Sequence, residues 1–240
     1  NRIHRDEVPR RFGSRGALVP GVTVFPHMTR PLVEHYGERW PAAAIADVSF
    51  AKPAYEGDLL TVATRAIAHA SDHFESPDSR SSLQSSERGP VGDNLELTCT
   101  NEAGIELARM TSHLPPSSPP VDPRSEIAPA LPLAERPIAT WELMEVGKPF
   151  PALAWAPTRA DNLQWCEDVR DDLPIYRNGA SPLVHPGFVL RQANFVLRNR
   201  FTLPAWIHTG SRIVFHRPLR IGEGCRGRAV PGEKWQCQGH

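Results

Sequence analysis

Histidine and cysteine are the side chains here most able to do chemistry, and their spacing removes several chemistries at once. His27, His35, His69, His73, His113, His216 and His240 show no metal-ligand interval and pair with no cysteine at finger-like spacing, so no metal is expected. Cys99, Cys166, Cys225 and Cys237 form no CxxC pair and read as reduced thiols of a cytoplasmic protein. No GxxxxGK[ST] or GxSxG run is present, which leaves phosphate-loop and serine-elbow chemistry without a carrier. His185 precedes Pro186 at a helix start, the setting of a satisfied turn or core histidine. Trp206-Ile207-His208 reads as a strand buried where two units meet, with no chemistry assigned to it. Gly21 and Gly187 each open a helical stretch, where a missing side chain lets backbone approach closely. Asp171 stands where it can cap or pair with Arg170 or Arg177.

The element that must position such residues is the stretch from Gly16 to Gly37. Phe25, Met28, Leu32 and Tyr36 recur at three- and four-residue steps, which predicts one helix face. Gly37 supplies a left-handed stop, while Pro31 is expected to kink the second half. The stretch returns at residues 181–201. Leu183-Val184-His185-Pro186-Gly187 stands where Leu18-Val19-Pro20-Gly21 stood, Lys52-Pro53 corresponds to Arg217-Pro218, and Gly57-Asp58 to Gly222-Glu223, all at shifts of 165 or 166 positions. A constant shift of that size means duplicated domains.

The 240 residues, 40% hydrophobic and 22% charged, suit one large or two ordinary soluble domains. A net charge of +0 gives no general attraction to nucleic acid or anionic membrane, so neither is an expected partner. No apolar run reaches the length of a membrane span. Many of the 25 prolines fall in residues 115–137, a semi-extended linker between units at 1–114 and 138–240. Within the first unit, residues 45–50 and 59–67 flank Glu56-Gly57-Asp58 as a hairpin, and residues 95–100 and 104–113 form another. Residues 71–94 read as a long exposed loop. Thr158 caps a helix through Asp168. The second unit reads as lacking its last strands, and an opening strand-helix segment is expected ahead of the first.

Asn1-Arg2-Ile3-His4-Arg5-Asp6, followed by Leu18-Val19-Pro20-Gly21, then Phe50-Ala51-Lys52-Pro53 and Gly57-Asp58, resembles the MaoC-like (R)-specific enoyl-CoA hydratases. The resemblance covers both units and implies an α+β double hot-dog fold, in which two long central helices are each wrapped by an antiparallel sheet. It implies hydration of a 2-enoyl thioester or the reverse loss of water, a lyase activity. His4 falls on the family's catalytic histidine, Asn1 on the motif's asparagine and Gly21 on the glycine of the oxyanion hole. Pro20 replaces the histidine usual before that glycine, and the family's catalytic aspartate would fall two positions before Asn1. In the second unit Asp171 keeps the motif's aspartate, Tyr176 stands in place of its histidine, and Gly187 matches the glycine. Tyrosine is a poor base at neutral pH, so this half reads as degenerate, shaping an acyl tunnel.

The expected partners are an acyl-CoA or acyl-carrier thioester and a second copy of the chain in a homodimer. Coenzyme A enters only as part of the substrate, and no separate cofactor is expected. Arg30, Lys52, Arg191 and Arg217 are candidates to meet its phosphates. A non-catalytic acyl-CoA-binding or structural double hot-dog protein, and a thioesterase or cyclase on the same fold, are the competing readings.

Overall fold

The computed structural model describes residues 18–67, 93–120, 136–203 and 206–235. His4 and Asn1, the exposed-loop prediction over most of 71–94, and most of the linker lie outside them. Helix α1, Gly21–Tyr36, is the centre of the first unit. Its three-and-four spacing puts Phe25, Met28 and Leu32 into the core, each at most 1% exposed. The helix runs on through Pro26 and Pro31. It stops at Gly37, whose φ of +58° is open to a residue without Cβ and whose N–H bonds to the Val33 carbonyl. Helix α2, Arg39–Ala43, follows. Its Trp40 is fully buried and donates its indole N–H to Ser112 Oγ at 2.9 Å, satisfying a polar atom that the core could not otherwise hold cheaply.

Numbered in chain order, the strands are β1 (Leu18–Val19), β2 (Ile45–Phe50), β3 (Ala54–Tyr55), β4 (Thr61–Ala66), β5 (Asp93–Thr100), β6 (Glu106–Leu114), β7 (Leu153–Trp155), β8 (Gly210–Val214) and β9 (Cys225–Gly227). Five of them form one antiparallel sheet in the order β4-β5-β6-β2-β8. Core residues of β2, β5 and β6, such as Val48, Leu97 and Met110, close over α1 in one hydrophobic cluster. The β5–β6 hairpin forms as its sequence predicts. Asn101 Oδ1 accepts from the N–H groups of Ala103 and Ile105, and Gly104 takes φ +71°.

The hairpin expected between residues 45–50 and 59–67 does not form. β2 and β4 are separated by β5 and β6, and the intervening β3 pairs with β1 instead. The turn at Gly57 is real, with φ +90° and Asp58 Oδ2 accepting from Tyr55 N–H at 2.9 Å. It turns the chain into a crossing rather than a two-strand ribbon.

The second unit carries helix α3 (Arg159–Asp168), a 3-10 turn at Pro174–Tyr176 and helix α4 (Pro186–Arg200). Thr158 Oγ1 accepts from Asp161 N–H, the predicted cap. α4 packs along α1, and β7 and β9 pair as a two-stranded ribbon. The units join through β8, which pairs antiparallel with β2. In that ladder Asp47 faces Arg212, the residue 165 positions further on, and their side chains form an ion pair at 2.9 Å. An antiparallel pair centred on two equivalent residues of a repeat is what a pseudo-twofold axis between duplicated units requires. Cys166, Tyr176 and Leu183 of the second unit share one core cluster with α1 and its sheet.

Candidate active site

Two places bring together residues singled out by sequence. At the start of α4, His185 is fully buried and Asp171 is 3% exposed. His185 Nε2 lies 3.1 Å from Asp171 Oδ2, and His185 Nδ1 lies 3.0 Å from the Gly187 nitrogen. The Gly187 N–H must donate, so Nδ1 is the lone-pair side of the ring and Nε2–H donates to the carboxylate. Asp171 Oδ1 also accepts from Leu173 N–H at 3.0 Å and from Arg30 Nη1 at 3.3 Å. Asn162 completes the knot, taking His185 N–H on Oδ1 and donating Nδ2 to the carbonyls of Tyr176 and Leu183.

This environment holds His185 neutral: burial lowers its pKa, with the Asp171 hydrogen bond opposing. Burial works to raise the Asp171 pKa, but the His185 and Leu173 hydrogen bonds outweigh it and the net direction is down. Tyr176 is fully buried with its ring centroid 4.5 Å from that of His185, and its hydroxyl has no partner among the described residues. Burial drives its pKa well above 10. Both ring nitrogens of His185 are committed, and the Gly187 amide is used within the knot. A Cβ on Gly187 would lie 2.5 Å from Pro26 Cγ, so the glycine lets α4 lie against α1.

The equivalent helix start in the first unit is built differently. Pro20 stands at the N-cap of α1 with no side-chain acceptor to offer, and its carbonyl takes the N–H groups of Thr23 and Val24. Neither Gly21 N–H nor Val22 N–H has an acceptor among the described residues. A cavity of about 670 Å³ opens on this turn. Its wall comprises Leu18 to Val24, the Phe50–Ala54 segment and Leu107 of β6. Trp165 and Asp168 of α3, Arg191, Asn194, Phe195 and Arg198 of α4, and Trp206 to Thr209 complete it. The first-turn amides and the positive end of the helix together favour negative charge here. A Cβ on Gly21 would meet the Phe50 ring at 2.8 Å, so no larger residue leaves that amide open without moving Phe50.

Of the four basic residues considered for phosphate, Lys52 and Arg191 line this cavity. Arg30 is bound to Asp171, Asp172 and Glu34, and Arg217 to Glu223. His208 also lines the cavity, although residues 206–209 are not the strand predicted there and β8 begins only at Gly210. Its Nε2 lies 2.9 Å from the Gly210 carbonyl and 2.8 Å from Ser211 Oγ, which fixes the proton on Nε2. Its Nδ1 is buried with no partner among the described residues, and burial lowers its pKa. The signal for this residue was its position just ahead of the repeated strand. Cys99 and Cys166 are buried thiols pushed up to about 11 and about 12 by desolvation, too basic to act as nucleophiles. Among the described residues no three His, Cys, Asp or Glu converge as metal ligands, and no helix is long and apolar enough to cross a membrane.

No protein-family profile matches the sequence, and no curated protein matches it. Among solved structures, the chain is similar to a MaoC domain protein dehydratase from Chloroflexus aurantiacus J-10-fl. That match has a TM-score of 0.55 and 13% identity over 94% of this chain and 72% of that one. A MaoC-like dehydratase matches at TM-score 0.45 and 14% identity, over 81% of this chain and 67% of that one. A thioesterase II from Thermobifida fusca YX matches at TM-score 0.28 and 18% identity, over 51% and 36%. The fold is therefore the α+β hot-dog fold of the MaoC-like proteins, as the resemblance implied.

Proposed function

We propose that the protein adds water to 2-enoyl thioesters, or removes it from 3-hydroxyacyl thioesters, in the cavity at the first turn of α1. The observation that carries this reading is the contrast between the two helix starts. In the second unit His185 takes the Gly187 amide; in the first the Gly21 amide has no acceptor among the described residues and borders a cavity of about 670 Å³. That volume falls within the roughly 300–1,000 Å³ of small-molecule sites. In the reaction, the thioester oxygen gathers negative charge while a proton is exchanged at the alpha carbon. A donor already aimed at that oxygen is worth on the order of 3 kcal/mol in other acyl enzymes. His4 is the acid/base and Asn1 its companion on the strength of the family motif, and an acyl-CoA or acyl-carrier thioester is the substrate.

A spectrophotometric screen of crotonyl- to dodecenoyl-CoA tests it. Loss of the conjugated enoyl-thioester absorbance at one or more chain lengths is expected. No turnover at any length, with acyl-CoA still raising the melting temperature, would instead make the protein a binder. Release of free thiol from saturated acyl-CoA would make it a thioesterase.

A further inference from the structure

Arg191 is a guanidinium with no oxygen to hold among the described residues. It is half-buried in the cavity wall, its central carbon 5.2 Å from the Trp165 ring centroid and 5.0 Å from that of Phe195. No carboxylate, carbonyl or hydroxyl accepts from it among the described residues. Aromatic faces attract the cation and pack its stem, but they satisfy none of its five N–H donors. Asn194 and Arg198, three and seven positions on, share its face of α4 and line the same cavity, with Arg198 stacked on Phe195 at 5.1 Å. The wall's carboxylate, Asp168, takes the Gln164 amide at 2.9 Å and pairs with neither arginine. The two arginines and the asparagine thus face one space with donors in excess, a planar fork suited to a carboxylate or phosphate.

We propose that Arg191, flanked by Asn194 and Arg198, seats an oxyanion carried by the ligand of this cavity. Two sources share that chemistry: a carboxylate in the acyl chain, or a phosphate of the thioester's carrier. The proposal rests on the reading of the cavity as a thioester site but not on turnover there.

Calorimetric binding of four saturated thioesters separates the cases, because saturated chains cannot be hydrated. The ligands are butyryl and glutaryl chains, each on coenzyme A and on N-acetylcysteamine, which has no phosphate. Arg191→Met keeps an apolar stem against Trp165 and Phe195. It is expected to weaken the anion-bearing ligands about tenfold or more, as loss of charged hydrogen bonds does, while butyryl-N-acetylcysteamine binds as before. Arg191→Lys should recover part of the affinity, lacking the fork. A loss that follows the glutaryl chain on both carriers assigns the carboxylate. A loss that follows coenzyme A with either chain assigns the phosphate. Equal binding of all four ligands by wild type and Arg191→Met overturns the proposal, as does an equal loss for all four. Failure of the enoyl-CoA screen with this pattern intact would sink the hydratase reading and leave the oxyanion seat standing.

Discussion

His185 and Asp171 form a buried histidine–aspartate pair of the kind acid/base dyads use, and their bonding argues for another role. With Nε2–H on Asp171 and Nδ1 on the Gly187 amide, the ring has no lone pair left for a water, and it is sealed from solvent. His185→Ala is therefore expected to cost about 2–3 kcal/mol of stability by leaving Asp171 and the Gly187 amide short of partners, measured as a shift in urea midpoint. Acid should act at the same place. His27, His185 and His208 all have pKa values lowered by burial from 6.5, so the unfolded chain binds those protons first. Their contribution is complete above about pH 6.5 and lost as pH falls below it; that of Asp171, whose pKa is depressed, follows only below about 3.8. A urea midpoint lower at pH 5.5 than at pH 7.5 is expected, and a flat or rising one would contradict the neutral burial. At this scale the sequence disclosed part of the site. Gly21 and Arg191 were visible as candidates, whereas the neutral His208 was not, because its state depends on a carbonyl two residues away and on burial, neither of which spacing encodes.

Helices α1 and α4 meet where Gly187 presents no side chain to Pro26. Gly187→Ala would drive a methyl into Pro26, with contacts of 2.5 and 3.1 Å, and a cost of about 1–3 kcal/mol is expected from denaturation. Gly21→Ala presses instead on the edge of the Phe50 ring, which can turn away into the cavity. Its melting temperature should barely change while substrate affinity or turnover falls roughly tenfold or more through lost positioning. Comparable destabilisation by both alanines would show the two helix starts to be equivalent. The helices were legible in the sequence because three-and-four spacing, Gly37 and Thr158 are local signals. The pairing of β2 was not. Alternation says that a segment is a strand, but not that its neighbours will be β6 and β8 rather than β4.

Across the molecule, the shift of 165 positions read from Lys52-Pro53 and Arg217-Pro218 reappears as the Asp47–Arg212 pair at the centre of the β2–β8 ladder. The 165-position spacing was thus legible in the sequence before the contact that shares it. Because that ladder and a shared core tie the units together, unfolding should be one transition. Far-ultraviolet circular dichroism and tryptophan fluorescence, with Trp40 in one unit and Trp155 and Trp165 in the other, are expected to give coincident curves; two separated steps would mean that the halves fold alone. The chemistry, by contrast, is assigned to one half. Enoyl-CoA turnover per folded molecule in His4→Ala and His185→Ala tests that assignment most directly. Chemistry at the first unit's helix start requires His4→Ala to lose turnover with an unchanged melting temperature, and His185→Ala to lose stability while its folded fraction still turns over. The reverse pattern would move the reaction to the buried pair of the second unit.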